Sequence, residues 1–329
     1  MKLLGVTSIY DPGCHCAFTD IISWRDRIYV AFREALNHSI QYSGQIVVLG
    51  SADYGRSFQV HARLADGYDL RDPHFFTAGD RLGLTISSWI VPDPDRGIAE
   101  RVRTGHLAQS DNGVDWDLRR MKEPRGRTLW RPRRGPDGAL YSAGYAPSDS
   151  EDDYQVELYR SENGWDWNRV SVIHPDQKAN ETELCFLPDG RLLALVRREQ
   201  SPHRPLLARA KPPYEQWTKV DCSRWLQGPL LERLPDGRLL VVGRSPDDVD
   251  DESSSKRTTR AFELDAETGR LDPLLALPSG GDTSYAGFLD LGGGEALLSY
   301  YSGHGYENGS YRKGSDPQRC GIYLARLVL

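Results

Sequence analysis

Several kinds of segment are missing from this chain of 329 residues, and their absence narrows the class of protein. No apolar run reaches the roughly 20 residues that a membrane-spanning helix needs. The first residues, MKLLGVTSIYDPG, lack the long apolar core of a signal peptide. The five cysteines form an odd set without the spacing of a disulfide framework: Cys14, Cys16, Cys185, Cys222 and Cys320. We therefore expect reduced thiols and a cytoplasmic protein.

Charge and motifs also argue against several kinds of ligand and partner. A net charge of −6 argues against a surface that binds nucleic acid or an anionic membrane. The sequence has neither a phosphate-binding loop nor a dinucleotide fingerprint, so no cofactor is expected. Cys14-His15-Cys16 resembles half of a zinc site, but no second ligand pair of the usual spacing accompanies it, and no metal is predicted. With 39% hydrophobic residues, the chain can bury a full core.

A short hairpin pattern recurs six times along the chain. The copies are PDGRLLALV (188–196), PDGRLLVVG (235–243) and the weaker WRDRIYVAF (24–32), AGDRLGLTI (78–86), GPDGALYSAG (135–144) and LGGGEALLSY (291–300). Each reads as an apolar stretch, an Asp or Gly turn and a second apolar stretch, which is typical of a β-hairpin. Their turn residues lie 47 to 57 residues apart, room for four short strands. We therefore predict an all-β fold, a six-bladed β-propeller.

The two ends of the sequence complete this prediction. After the sixth hairpin only one more strand is evident, CGIYLARLVL (320–329), so the last blade is one strand short. LLGVTSIY (3–10) can supply the missing strand, which closes the ring and leaves no open sheet edge. The prediction is therefore a single domain over residues 1–329.

A second pattern accompanies the hairpins. SADYGRSF (51–58) matches the Asp-box pattern Ser-x-Asp-x-Gly-x-x-aromatic, and QSDNGVDW (109–116) and RSENGWDW (160–167) keep its Gly and its aromatic residue. The Asp side chain can bind backbone N–H groups of its own turn, and Gly allows a positive φ. We interpret these carboxylates as stabilising turns, not as catalytic groups.

The propeller geometry predicts where a site lies. The Asp and Gly turns share one face, so the opposite face gathers the starts of the first strands and the ends of the second strands. Eight residues before the turns are Asp72 (preceded by Arg71), Glu181, Gly228 and Tyr285, with His15 and Arg131 near the matching points of their blades. The ends of second strands contribute Arg33, Glu34, Trp89, Tyr145, Arg197, Arg198, Arg244, Tyr300 and Tyr301. Because arginine binds carboxylates in a bidentate manner, this cluster indicates an anionic ligand.

Two segments resemble the sialidase superfamily, and the match extends over all blades in order. NETELCFLPDGRLLALVR (180–197) resembles the family's Asn-Glu segment and the arginine-bearing strand after it. DTSYAGFLDL (282–291) resembles the segment that carries the family's nucleophile. The resemblance implies that Tyr285 is the nucleophile and Glu181 its base, and that Arg197 and Arg244 are two of three arginines that hold a substrate carboxylate. A neutral phenol suits an anionic sugar, because it avoids the repulsion that a carboxylate nucleophile would meet.

The chain departs from the family in two places. The family's first arginine lies in a (Phe/Tyr)-Arg-Ile-Pro motif, whereas this chain has GCHCAF, with His15 near the arginine's place. The family's general acid is an Asp in the loop after the first blade's second strand, whereas REALNHSIQYSGQ (33–45) offers only Glu34 and His38. His38 can act as an acid near neutral pH, and Asp72 and Asp282 are the next candidates. For each of these three, a structural role in a loop, cap or turn is the alternative.

These features predict an exo-acting, retaining glycosidase of sialidase type on a sialic acid or a related ulosonic or uronic acid. The predicted catalytic residues are Tyr285, Glu181, His38 and Asp72; the predicted substrate contacts are Arg197, Arg244, Arg33, Glu34, Arg71, Arg131, His15, Asp282 and Tyr301. The expected partner is a small acidic sugar or oligosaccharide. A lyase that acts on uronic-acid polymers and a non-catalytic carbohydrate-binding propeller are the alternative hypotheses.

Overall fold

The computed structural model describes residues 1–38, 44–90, 102–121, 126–147, 154–201, 203–254, 256–306 and 319–329. Within these ranges the chain forms six antiparallel sheets and no α-helix. No helix in the described part of the chain has the length and hydropathy of a membrane span. The fold is an all-β, six-bladed β-propeller, which confirms the predicted fold class.

The strands follow one another around the ring, four to most blades. The first strand, β1, spans Lys2–Tyr10. Blade I contains β2 (His15–Trp24), β3 (Arg27–Ala35), β4 (Gln45–Ser51) and β5 (Gln59–Leu64). Blade II contains β6 (Asp69–Ala78), β7 (Arg81–Ile90), β8 (Val102–Ser110) and β9 (Asp117–Arg120). Blade III contains β10 (Thr128–Leu129), β11 (Arg133–Arg134), β12 (Leu140–Pro147), β13 (Tyr154–Ser161) and β14 (Asn168–His174).

The second half of the ring repeats this order. Blade IV contains β15 (Ala179–Phe186), β16 (Leu192–Arg198), β17 (Leu206–Ala210) and β18 (Thr218–Asp221). Blade V contains β19 (Gln227–Arg233), β20 (Leu239–Pro246), β21 (Arg257–Leu264) and β22 (Leu271–Ala276). Blade VI contains β23 (Thr283–Gly292), β24 (Glu295–Ser302) and β25 (Gly321–Val328), and its fourth strand is β1. The register between β1 and β25 runs antiparallel from the pair Lys2 and Val328 to the pair Tyr10 and Ile322.

The Asp-Gly turns join the first to the second strand of a blade, as their sequence indicates. In blade IV, the Gly190 N–H donates to the Leu187 carbonyl at 3.0 Å, and the Asp189 side chain accepts from the Arg191 N–H at 3.0 Å. Blade V repeats the same two bonds around Gly237. The second strands that follow are apolar because they are buried on both faces, as in the fully buried run from Leu192 to Val196.

The Asp-box turns lie between the third and fourth strands of blades I to III. Asp53 accepts hydrogen bonds from the N–H groups of Arg56 and Ser57, at 3.0 and 2.9 Å. In the two degraded copies an asparagine takes this place. Asn112 accepts from the N–H groups of Val114 and Asp115, at 2.8 Å each, and Asn163 accepts from those of Trp165 and Asp166, at 2.8 and 2.9 Å. These side chains are used within their own turns.

The Gly in these turns packs against the preceding blade. Gly113 of blade II has φ 77°, and a Cβ there would lie 2.4 Å from the Tyr29 hydroxyl of blade I. Gly164 of blade III has φ 73°, and a Cβ there would lie 2.4 Å from the Phe76 ring of blade II. Only glycine satisfies both the backbone conformation and the close approach. The turns therefore fix the spacing between blades as well as their own shape.

Candidate active site

A bulge recurs near the start of the first strand in five of the six blades. The register between first and second strand shifts at residues 17–20 of β2, 71–74 of β6, 179–182 of β15, 227–230 of β19 and 284–287 of β23. Four of the bulged residues have positive φ: Phe18 (61°), Asp72 (46°), Gly228 (55°) and Tyr285 (47°). A bulge redirects a side chain out of the normal strand alternation, and strained backbone is common at functional sites. In this chain the bulges surround the propeller axis on the face opposite the Asp-Gly turns.

A pocket of about 790 Å³ opens at this level. Eight of the thirteen residues predicted for the site line it: Tyr285, Glu181, His38, Asp72, Arg197, Arg244, Arg71 and Asp282. They come from blades I, II, IV, V and VI and from the segments that precede or follow their strands. Asp72, Glu181 and Tyr285, which each lie eight residues before the turn of their own blade, therefore line one cavity.

Tyr285 and Glu181 form a hydrogen-bonded pair in this pocket. The Tyr285 hydroxyl lies 2.8 and 3.0 Å from the two carboxylate oxygens of Glu181. Arg197 donates to Glu181 Oε2 at 2.5 Å and to the Tyr285 oxygen at 3.2 Å, so the arginine fixes both partners. A hydroxyl and a carboxylate at these distances can exchange a proton.

The surroundings of Tyr285 keep its phenol neutral. Its ring packs against those of Phe18, Tyr301 and Trp130, with centroid distances of 5.1, 6.2 and 6.3 Å. Burial raises the pKa of Tyr285 well above its ordinary value, and Glu181 raises it further, while Arg197 and Arg244 act in the opposite direction. The phenol therefore needs a base before it can react as a nucleophile, and Glu181 is in position to be that base.

Asp282 is the centre of a second cluster on the pocket wall. His38 Nδ1 and His15 Nε2 lie 2.5 and 3.2 Å from its Oδ2, and the Tyr301 hydroxyl donates to its Oδ1 at 2.9 Å. Arg244 lies 3.7 Å from Oδ1. Burial alone would raise the pKa of Asp282, but the histidines and Arg244 hold it well below its usual range. Asp282 is therefore a carboxylate that accepts hydrogen bonds from His15, His38 and Tyr301 and has Arg244 as a nearby counter-charge.

Asp72 is a pocket carboxyl group whose acidity is weakened by burial. Its side chain makes no hydrogen bond or ion pair within the described part of the chain. Burial raises its pKa to about 6, while Arg71 pulls it down and Glu181 adds to the rise. A carboxyl group with such a pKa can donate a proton near neutral pH.

The pocket carries several cations besides Arg197 and Arg244. The Arg71 guanidinium lies over the Phe18 ring at 4.9 Å, and its nearest carboxylate is Asp69 at 3.6 Å. The Arg103 guanidinium lies 4.6 Å from the rings of both Trp89 and Tyr145. Among the described residues, no carboxylate lies within ion-pair distance of Arg103. The pocket thus has cationic groups that are incompletely neutralised by the protein.

Five predicted site residues do not line the pocket. Arg33 is fully buried and bonds to Asp69 Oδ1 at 2.7 Å. Glu34 faces away from the axis, where it binds Arg63 and Gln45 at 2.7 and 2.6 Å. His15 and Tyr301 are buried behind Asp282 and reach the pocket only through it. In each case the partner comes from another strand or blade, which the local sequence does not reveal.

Arg131 is the fifth of these residues, and it lies in the structural core around the axis. Its guanidinium is 2.5 Å from Glu183, 3.3 Å from Asp20 and 3.0 Å from the Ala286 carbonyl. These groups belong to blades IV, I and VI, while Arg131 follows β10 of blade III. Arg131 therefore ties four blades together below Tyr285 and does not face the pocket.

Several residues that line the pocket are not among the predicted substrate contacts. The rim geometry pointed to two of them, Trp89 and Tyr145, and the sequence reasoning missed Phe18, Arg103, Glu199, Lys256 and Arg257. A signal for Phe18 was present, because it lies eight residues before Asp26, the turn residue of its own hairpin. Trp89 and Tyr145 lie near the ends of second strands, as the rim rule requires. Lys256 and Arg257 enter from the connection between β20 and β21, and no periodicity predicts such a segment.

Two groups of side chains have the donor types of a metal site. Cys14, Cys16 and Glu34 form one, with the sulfur atoms 3.9 Å apart, but both Glu34 oxygens are already bonded to Tyr10, Gln45 and Arg63. His15, His38 and Asp282 form the other. There the Arg33 guanidinium faces His15 Nδ1 at 3.4 Å, so Nε2 must carry the hydrogen and has no lone pair for a metal. Neither donor set fits a metal without rearrangement.

The fold and pocket together define a six-bladed propeller with a tyrosine–carboxylate site, and similar solved structures are known. A protein of unknown function from Dyadobacter fermentans has a TM-score of 0.80 and 19% identity over 99% of both chains. Trypanosoma rangeli sialidase, in complex with the inhibitor DANA, has a TM-score of 0.67 and 10% identity over 99% of this chain and 58% of that chain. An α-L-arabinofuranosidase from Fusarium graminearum has a TM-score of 0.68 and 10% identity over 100% and 98%.

At such identities the likeness shows the fold alone. This chain therefore has the propeller arrangement of the sialidases and of that arabinofuranosidase. No protein-family model matches the sequence, and no curated protein matches it significantly.

Proposed function

We propose that this chain is a retaining glycoside hydrolase that removes a terminal acidic sugar, with Tyr285 as its nucleophile and Glu181 as the base that activates it. The contact between the Tyr285 hydroxyl and Glu181, 2.8 Å long and inside the pocket, carries the proposal. A phenol held in proton-transfer contact with a carboxylate, on a strained backbone position, is more than a sugar-binding propeller needs. The solved sialidase and arabinofuranosidase structures support the same class of activity.

The reaction has two halves. In the first, the Tyr285 oxygen bonds to the anomeric carbon while the glycosidic C–O bond breaks. The phenol proton passes to Glu181, and an acid in the pocket gives its own proton to the departing oxygen. In the second half, water loses a proton to that group and its oxygen replaces Tyr285 on the anomeric carbon, while Glu181 returns the phenol proton. His38 and Asp72 are the candidates for the acid.

An acidic sugar is the substrate class that the charges favour. Arg244 has only a 3.7 Å contact with Asp282, Arg71 has only a 3.6 Å contact with Asp69, and Arg103 has no carboxylate partner among the described residues. A ligand carboxylate among these cations would gain charge-assisted hydrogen bonds in a site of reduced dielectric constant. Arg197 is already engaged by Glu181, so the ligand carboxylate is left to the other cations. Neutral sugars are the comparison substrates in the test.

A uronate lyase is the second candidate, and the contact between His38 and Asp282 favours it. An imidazole oriented by a carboxylate can remove the proton at C5 of a uronic acid, while Arg244 neutralises the sugar carboxylate. The C5–H electrons then form the C4–C5 double bond, and the C4–O bond to the leaving sugar breaks. This reaction gives an unsaturated product that absorbs ultraviolet light, and it needs no covalent intermediate on Tyr285.

The proposed function is tested by the release of a fluorescent aglycone from glycosides of sialic acids, ketodeoxyoctonate, glucuronic acid and neutral sugars. We expect turnover of one acidic sugar by the wild type and its loss in Tyr285→Phe. Tyr300→Phe is the matched control, because its hydroxyl donates to the Pro278 carbonyl and it does not line the pocket. If no glycoside releases its aglycone and uronic-acid polymers give an unsaturated product, the lyase hypothesis is favoured and the glycosidase hypothesis is rejected.

A further inference from the structure

We propose that Asp282 is a positioning residue that holds the proton of His38 on Nδ1, so that Nε2 is the atom through which His38 exchanges a proton in the pocket. The inference rests on the proposed function for its catalytic consequence. Its structural part depends only on a chain of contacts from Asp69 through Arg33, His15 and Asp282 to His38, which crosses blades II, I and VI.

The first step fixes the tautomer of His15. Asp69 and the Asn37 carbonyl hold the Arg33 guanidinium, at 2.7 and 2.9 Å. A guanidinium can only donate hydrogen bonds, so the His15 Nδ1 that faces it at 3.4 Å is an acceptor. Burial also lowers the pKa of His15 to about 4, and the ring is neutral at pH 7. Its hydrogen is therefore on Nε2, which donates to Asp282.

The second step fixes the tautomer of His38. Asp282 is an ionised carboxylate, and an ionised carboxylate accepts hydrogen bonds but cannot donate one. His38 Nδ1 lies 2.5 Å from its Oδ2, so Nδ1 must carry a hydrogen whether the ring is neutral or charged. The ring therefore gains and loses its other proton at Nε2. A carboxylate that sets the tautomer of a catalytic histidine is the arrangement known from serine hydrolases.

The third step places this ring at the reaction site. His38 is partly exposed and lines the pocket together with Tyr285. The Phe18 ring lies between the two, with centroid distances of 5.6 Å to His38 and 5.1 Å to Tyr285. Among the described residues, the charged and titratable groups around this wall include His15 of β2, Arg33 of β3, Arg244 of β20, Tyr301 of β24, Asp282 just before β23 and Cys320 just before β25.

The chemical consequence is a division of labour in the pocket. Protonated His38 gives the Nε2 proton to the departing glycosidic oxygen, and neutral His38 then takes a proton from the attacking water. Asp282 keeps the Nδ1 proton throughout and never exchanges it with the substrate. The competing assignment gives this role to Asp72.

The kinetic test compares leaving groups on the sugar that the wild type cleaves. A dinitrophenolate leaves without protonation, whereas an alkoxide needs an acid. We expect His38→Gln and Asp282→Asn to lose about 10²-fold or more in kcat/KM on the alkyl glycoside and little on the dinitrophenyl glycoside. Asp66→Asn is the matched control, because Asp66 bonds to His106 at 2.5 Å and neither residue lines the pocket. The same pattern in Asp72→Asn, with an unchanged Asp282→Asn, would overturn the proposal.

The tautomer is tested without any substrate. In the full chain with ¹⁵N-labelled histidine, neutral His38 should show a protonated Nδ1 and a bare Nε2, and Asp282→Asn should shift it toward the other tautomer. A wild-type His38 protonated at Nε2 instead would overturn the proposal. If every glycoside is inert while this spectrum is as expected, the glycosidase fails and the orientation of His38 by Asp282 stands.

Discussion

Gly228 lies against the ring of Tyr285, so closely that a Cβ at position 228 would be 3.0 Å from ring atom Cε2 and 3.1 Å from Cζ. Gly228 is itself the bulged residue of β19, with φ 55°. The bulge of blade V therefore carries no side chain, and the space that it leaves is filled by the nucleophile proposed for blade VI. The position of the phenol therefore depends on residue 228 having no side chain.

Gly228→Ala should lower kcat/KM by about 10²-fold, because a displacement of a reacting group by about 1 Å has an effect of that size. The backbone strain of a non-glycine residue at positive φ costs about 1 kcal/mol or more. Gly237→Ala is the matched control: φ is 92°, and its Cβ would meet only Arg233 Nη2, at 3.7 Å. Both variants should lose similar stability in thermal unfolding. Equal activities for the two variants would contradict the role of Gly228.

Glu181→Gln should lower the pKa of the Tyr285 phenol, because Glu181 raises it while Arg197 and Arg244 lower it. The measurement is the ultraviolet absorbance of tyrosinate against pH. Subtracting the curve of the Tyr285→Phe variant isolates the Tyr285 titration, and this difference is compared between the wild type and Glu181→Gln. The same change should reduce glycoside turnover by about 10²-fold or more, since the phenol loses its base. Glu199→Gln is the control for the phenol titration alone, because Glu199 also pairs with Arg197, at 3.2 Å, but itself lines the pocket. An unchanged phenol titration in Glu181→Gln would refute the coupling.

Asp72→Asn should stabilise the protein, and more at pH 7.5 than at pH 4.5. The pKa of Asp72 is about 6 in the folded chain, against about 4 in an unfolded one. Between these values the folded state binds the extra proton, so the Asp72 contribution to the free energy of unfolding falls as the pH rises. The loss is nearly complete about one pH unit above the folded pKa and amounts to at most roughly 3 kcal/mol. The check is the melting temperature of both proteins at the two pH values; a difference that shrinks as the pH rises would reverse the argument.

Arg131→Met should destabilise the fold while the folded fraction keeps its KM. Arg131 is buried between Glu183 and Asp20, and removal of one partner from a buried ion pair costs about 3–5 kcal/mol. Arg134→Met is the comparison, since Arg134 is exposed and, among the described residues, bonds only to two carbonyl groups. Denaturant unfolding measures the first effect and substrate titration the second. An intact fold with a raised KM would restore Arg131 to the substrate site.

The fold was predictable because its signal is local. Each hairpin turn lies within a few residues of the strands that it joins, and six copies at similar spacing leave few alternatives to a propeller. The same regularity brought Asp72, Glu181, Gly228 and Tyr285 to one level. The rule failed in blade III, where Trp130, Arg131 and Pro132 separate β10 from β11 and the first strand is not continuous.

The parts of the site that could not be predicted depend on partners far apart in sequence. In the sequence, Arg33 has the position of a pocket arginine. In the structure it is bonded to Asp69, a residue of the next blade. The sequence left Asp282 as either a turn residue or an acid. Its contacts with His15, His38 and Tyr301 are formed only in the folded chain. Sequence separation hides such contacts, because no period or motif connects their members.

The pairing of β1 with β25 has a consequence for the order in which the blades fold. Tyr285 belongs to the sheet whose strands are β1, β25, β24 and β23, and the strands of the other five blades lie between β1 and β23 in sequence. Lys2 pairs with Val328 across this sheet, and contacts between residues so far apart in sequence carry a large loop-closure cost until the intervening chain has folded. We therefore expect the blade with the proposed nucleophile to be completed late in folding, when the ring closes.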